Sequence, residues 1–182
     1  MKPYQTLKIG FHPIGILLVS DEGYVSVDYR HCPFMKTIKT LNILIEICKD
    51  GQNGFRDAGE NAKHSDLKAL FAAYSMQRSR FAGELQQFVT QLGEEPEKTS
   101  SIASAIHRGW IDLKAAFTQD SDHAILVECE RGEDHAVAAY ESALIEDLPT
   151  NIRSVVSAQS EEVWAAHDDI RDRRDKAEEL TH

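Results

Sequence analysis

Residues 121–147, SDHAILVECERGEDHAVAAYESALIED, read as one long helix whose apolar stripe is interrupted at its middle by glutamates. On a 3.6-residue helix Leu126, Cys129, Val137, Tyr140 and Leu144 fall on one side, Glu133 falls among them, and Glu130 lies beside it. Two acids on a core face need an explanation, because a buried carboxylate persists only when it is paired, hydrogen-bonded or bound to a metal. Ser121 or Asp122 is expected to cap this helix.

Downstream, Leu148-Pro149-Thr150-Asn151 forms a tight link into a last helix from Ile152 to about Ala177. That helix presents Ile152, Val156, Gln159, Val163, Ala166, His167 and Ile170 on one face. Its Arg/Asp-rich tail, from Arg171 to Asp175, is expected to be a solvated surface. Upstream, a shorter segment from Ile102 to Phe117 carries the stripe Ile102, Ile106, Trp110, Leu113 and Phe117, capped by Thr99 to Ser101. Before it, Gly93-Glu94-Glu95-Pro96-Glu97 ends a helix that begins at an N-cap Ser65 and buries Leu67, Leu70, Phe71, Tyr74, Phe81, Leu85 and Phe88. Arg78 falls within that apolar arc, with Gln77 at its edge, and a cation placed there needs a partner.

The first long helix runs from Lys36 to about Asn61, with Leu41, Leu44, Ile45, Cys48, Gln52 and Phe55 on one face and Glu46 and Asp50 opposite. Ile43 and Ile47 lie off the stripe, so a second covered surface is expected there, against the N-terminal segment, the connecting helix or another subunit. Gly51, Gly54 and Gly59 each cost up to about 1 kcal/mol of helix propensity relative to Ala, which close helix packing would offset. Residues 1–34 differ from the rest. Two β-leaning runs, Ile14 to Ser20 and Tyr24 to Tyr29, flank Asp21-Glu22-Gly23 in a hairpin pattern. The composition break at Met35 divides the chain into an extension, 1–34, and a helical body, 35–182; the alternative reading is a native start at Met35 with the extension a gene-model artefact.

The 182 residues carry a net charge of -10, and the charges of 1–34 cancel, so the acidity belongs to the helical body. Nucleic acid or an anionic membrane would require a Lys/Arg surface to displace counterions, and neither is expected as a partner. Three cysteines, Cys32, Cys48 and Cys129, have no paired or CxxC spacing, which suggests a reducing compartment. The apolar run from Ile14 to Val19 is too short to span a bilayer and no small-residue cleavage site follows it. A cytoplasmic location is expected.

Four long helices in two short-linked pairs, joined by a connection with its own helix, predict an all-α four-helix bundle with a helical crossover. The residues also resemble a known family. LNILIEICKDGQNGFRDAGE (41–60), LKALFAAYSMQRSRFAGELQ (67–86), IHRGWIDLKAAF (106–117), DHAILVECERGEDHAVAAYESAL (122–144) and AAHDDIR (165–171) look like a bacterial ferritin-like four-helix-bundle family of unknown function, domain of unknown function 2383. The resemblance covers Met35 to Arg174, with ECERGED and HRGW its most specific motifs. It implies an up-down pair, a crossover helix and a second pair, with no established activity.

A ferritin-like dinuclear site takes one Glu from each of two helices and a Glu-x-x-His from each of the others. Here Glu-x-x-His occurs only as Glu179 with His182 at the C-terminus, Asp120 with His123 reads as capping, and Trp164 stands three residues before His167. What remains is a reduced inward set: Arg78, Glu130, Glu133, Gln159 and His167, with Gln52. Three readings compete. In the first, a polar core layer, Arg78 pairs with Glu130 or Glu133 while His167 hydrogen-bonds nearby. In the second, Glu130, Glu133 and His167 bind Fe, Mn or Zn with water. In the third, the helix rotation is misjudged and one or both glutamates are exposed. An arginine in the layer weighs against a cation.

The remaining candidates are weaker. Cys48 and Cys129 form a redox pair only if their helices touch, and core thiols are the plainer reading. Trp110 and Trp164 read as packing residues before partner anchors. His31, His64, His107, His123 and His135 fall in caps, loops or exposed faces. No phosphate loop, nucleophile elbow or zinc-type Cys/His spacing occurs. The expectation is therefore a non-catalytic ferritin-like bundle, without a cofactor, that works by self-association or partner binding and is a homo-oligomer through the surface of Ile43 and Ile47. The alternative is a carboxylate-bridged metal protein handling iron or oxygen.

Overall fold

In this computed structural model the described residues are 16–19, 25–28, 33–96 and 121–179, with side chains described for 35–96 and 121–178. Two strands, β1 (Ile16–Val19) and β2 (Val25–Asp28), pair antiparallel with Ile16 opposite Asp28 and Val19 opposite Val25. The turn expected at Asp21-Glu22-Gly23 and the segment expected as a helix over 102–117 lie outside the described residues.

Among the described residues four helices follow: α1 (Pro33–Asn61), α2 (Ser65–Gln91), α3 (Asp122–Ile145) and α4 (Thr150–Glu179). Each forms because its apolar residues recur at helical spacing. In α2, Leu67, Phe71, Arg78, Phe81, Ala82, Leu85 and Val89 are buried in one row. In α3, Ile125, Leu126, Cys129, Glu133, Ala136, Val137, Tyr140 and Ala143 do the same. Leu70, Phe88 and Leu144, expected in the core, are half-buried and pack against its edge.

The helix ends correct two expectations. Ser65 is the first residue of α2; the N-cap position belongs to His64, whose side chain makes no capping bond. Ser121 holds the N-cap position of α3 but likewise caps nothing with its hydroxyl. Asp122 instead reaches across to the α1–α2 link, where its carboxylate accepts the backbone N–H of Lys63 at 2.7 Å and of His64 at 3.1 Å and meets the His64 ring. At the other end of α3, Arg153 donates from Nη1 to the carbonyl of Leu144 at 2.8 Å and from Nη2 to that of Glu146. A cation there satisfies orphan carbonyls and the negative end of the helix dipole together.

Helix directions follow from these contacts. Lys36 at the start of α1 pairs with Glu146 just past the end of α3, and the end of α1 meets the start of α3 through Asp122, so α1 and α3 are antiparallel. Tyr74 bonds Asp169, Gln77 bonds Glu162 and Gln159 bonds Glu84, so α2 and α4 are antiparallel as well. Helices α2 and α3 therefore run the same way. The α3 cylinder, 24 residues long, spans about 36 Å at 1.5 Å per residue. The end of α2 and the start of α3 therefore lie at opposite ends of the bundle.

The core is divided. One apolar cluster gathers Leu41, Leu44, Ile45, Cys48, Phe81, Leu85, Val89, Tyr140, Ile152, Val156 and Val163; a second gathers Phe55, Ala58, Leu67, Phe71, Leu126, Cys129 and Ile170. The boundary falls between Cys48 and Phe55 on α1, between Phe71 and Phe81 on α2, and between Cys129 and Ala136 on α3. At Gly59 α1 lies against α2, where an added Cβ would make ordinary contacts, 3.4 Å from the Cβ of Phe71 and 3.5 Å from the carbonyl of Lys68.

Two features of α1 differ from expectation. Glu46, placed on the outer face by helical spacing, is 8% exposed and accepts a bond from Lys49 at 3.0 Å, because α1 is covered on that side too. Ile47 is buried within the single chain and Ile43 is half-buried, so Ile47 offers a second copy almost no surface.

Candidate functional site

The boundary between the two clusters is filled by Arg78. Its side chain is 1% exposed; its stem passes over Gly51, where an added Cβ would stand 3.3 Å from Cγ. The guanidinium carbon lies 5.8 Å from the Phe55 ring centroid and 5.5 Å from that of Phe81, one aromatic from each apolar cluster. Nη2 donates to Oε2 of Glu133, itself 0% exposed, and Nη1 donates to Oε1 of Gln77 at 2.6 Å. Oε1 of Glu133 and Nε of Arg78 have no hydrogen-bond partner among the described residues. Burial pushes the Glu133 carboxyl above its ordinary range; Arg78 and His167 pull it back only in part.

The other expected residues separate from this pair. Glu130 does not join Arg78. Three residues from Glu133 it is turned by about 60°, half-buried at the rim, and bonded to Nη1 of Arg174. The Arg/Asp tail of α4 is thus not merely solvated, since Arg173 also bonds Asp169 at 2.8 Å and reaches Asp66 at 3.9 Å. His167 is 8% exposed, with Nε2 3.0 Å from Asp134 and Nδ1 3.3 Å from Asp168, both on the surface. The Trp164 ring, 41% exposed rather than packed inside, meets His167 edge-on with centroids 5.6 Å apart. Gln52 contributes its backbone, accepting from the Ser75 hydroxyl at 2.8 Å.

Gln159 belongs to a second polar chain. The Tyr140 hydroxyl donates to Gln159 Oε1 at 2.8 Å, and Gln159 Nε2 donates to Glu84 Oε2 at 2.7 Å. With its one proton spent on Gln159, Tyr140 can only accept from the Cys48 thiol, 3.2 Å away. Burial pushes the thiol up to about 11 and the phenol well above its usual value. Cys129 is also buried, with its thiol raised, and it lies in the other cluster. Neither is a reactive thiolate, and the redox-pair reading gains no support from their placement. The sequence reading passed over Glu84, Glu162 and Tyr140 as polar partners. Only Tyr140 carried a signal, because a buried phenol needs a hydrogen-bond partner.

The metal ligand set expected as the alternative does not assemble. Glu133 is bonded to Arg78, Glu130 to Arg174 and His167 to two aspartates, and no group of three or more His, Cys, Asp or Glu is placed to hold a metal ion among the described residues. The guanidinium already supplies the positive charge that Glu133 requires. Among the described residues, Glu130, Glu133 and His167 are placed in ion pairs and hydrogen bonds rather than as the ligands of a dinuclear centre.

Residues 36–146 match the family model described as Domain of unknown function (DUF2383). The chain belongs to that family. The match includes Arg78 and Glu133, which make the buried pair, and Glu130, whereas Gln159 and His167 lie beyond it. No curated protein matches the chain. No helix among the described residues is long and apolar enough to cross a membrane.

Proposed function

We propose that this member of the family is a non-catalytic, ferritin-like bundle that works by association, with a guanidinium held where a metal centre would otherwise sit. The ferritin-like reading is supported by the parallel course of α2 and α3, which needs one long crossover. One observation carries the rest: Arg78 lies between Phe55 and Phe81 and occupies the carboxylate of Glu133 at the junction of both apolar clusters. A cation placed there would have to displace a permanent charge.

Self-association runs through a surface other than that of Ile43 and Ile47, since Ile47 is buried and Ile43 half-buried. The end of the bundle that carries the Lys36 and Glu146 pair also carries Ile145, 86% exposed, and Met35, 42% exposed, and is the better contact surface. Metal analysis of protein prepared without a His tag tests the central part. No stoichiometric Fe, Mn or Zn is expected; a stoichiometric metal that disappears in Glu133→Ala would overturn the reading. Sedimentation tests the other part: an oligomer that dissociates in Ile145→Glu is expected, and a wild-type monomer at every concentration contradicts self-association.

A further inference from the structure

We infer that the seam between α2 and α4 is the edge along which this bundle opens. The helices α1 and α2, α3 and α4, and α1 and α3 lie close along long stretches, while α2 and α4, though both feed the two apolar clusters, approach least among these four neighbouring pairs. What closes the seam is a set of polar bridges: Tyr74 to Asp169 at 2.8 Å, Gln77 to Glu162 at 3.0 Å, Arg80 to Glu162 at 2.7 Å and Gln159 to Glu84 at 2.7 Å. Every one of them ends on a carboxylate. The Arg80, Glu162 and Glu84 side chains are 50%, 42% and 37% exposed, so water and salt compete for these bonds directly.

The bridges also lead inward. Glu162 holds Gln77, and Gln77 holds Arg78. Glu84 holds Gln159, Gln159 holds Tyr140, and Tyr140 takes the Cys48 thiol. Parting α2 from α4 with the α1–α2 and α3–α4 hairpins intact therefore removes the outer anchor of both interior chains at once, separates Arg78 from Glu133 so that water reaches both charges, and uncovers the cluster around Cys48. Such an edge belongs to the low-stability end of a protein's local openings, where few apolar contacts resist separation. The bundle swings as two hairpins with the α1–α3 contact as the hinge.

Cys48 reports on this motion, because its thiol is 0% exposed when the seam is closed. The full chain is treated with N-ethylmaleimide and labelling is read site by site by mass spectrometry, at low and high NaCl and over sub-denaturing urea. Cys48 is expected to label with a weak urea dependence, faster at high salt. In Glu162→Ala or Glu84→Ala its rate at low salt should rise by roughly two- to five-fold, the worth of a partly exposed charge pair, with a smaller further response to salt. The inference is overturned if Cys48 and Cys129 label at one common rate with the steep urea dependence of global unfolding, unchanged by salt and by either variant. The wild-type salt series decides the matter even where a variant fails to fold.

Discussion

Arg78 shows how one side chain fixes its surroundings. Because it cannot lose its charge, Glu133 must stay beside it, and Gly51 must stay small. A helix-interior Gly→Ala change ordinarily gains about 1 kcal/mol. At Gly83, where an added Cβ meets nothing within 4 Å, that gain is expected as a raised urea midpoint. At Gly51 the new methyl would press on an Arg78 stem confined by two rings, so Gly51→Ala should show no gain or a loss. The pH response is equally specific. The Glu133 carboxyl titrates above its ordinary 4.5 in the folded chain, so its contribution is full below that value and is lost as pH rises through the folded one. In Arg78→Met the upward push of burial is opposed by less, and the deficit relative to wild type should widen from pH 4.5 towards neutrality. Denaturation of both proteins across that window checks it; a deficit that narrows with rising pH is the contrary result.

At the scale of elements, the clamp that Asp122 makes on the α1–α2 link is open to the opposite titration. Partial burial raises its carboxyl, but the N–H groups of Lys63 and His64 and the His64 ring outweigh this and hold it below the ordinary 3.8. Its contribution is therefore present above 3.8 and lost as pH falls through the lower folded value. Asp122→Asn should cost about 1–2 kcal/mol at neutral pH, and the difference from wild type should vanish in acid. Arg153→Ala, which removes the side-chain donor from the Leu144 carbonyl and one of two donors from that of Glu146, should cost about 1 kcal/mol, read from the thermal midpoint. The helices themselves were legible, since Leu126, Cys129, Val137 and Tyr140 set the rotation of α3 and placed Glu133 on the inner face. Glu130 was not, because about 60° of rotation and a long side chain suffice to carry it to Arg174 on another helix. The bridges from Glu84 and Glu162 depend on the register between α2 and α4, and no local pattern in either helix records that. Asp122 was read as a cap because its partners lie on a link far away in sequence.

Across the whole molecule, one ion pair separates two apolar clusters and fixes how the two hairpins meet: any slip along the axis would leave Arg78 or Glu133 buried and unmatched. A device of this kind holds the register of a bundle at some expense of stability. The measurement that tests this most directly is a double-mutant cycle on Arg78 and Glu133, followed by urea denaturation. Arg78→Met and Glu133→Leu alone are each expected to destabilise by about 3–5 kcal/mol, and together by far less than their sum. Two small, additive losses would contradict a buried pair at the centre of the bundle.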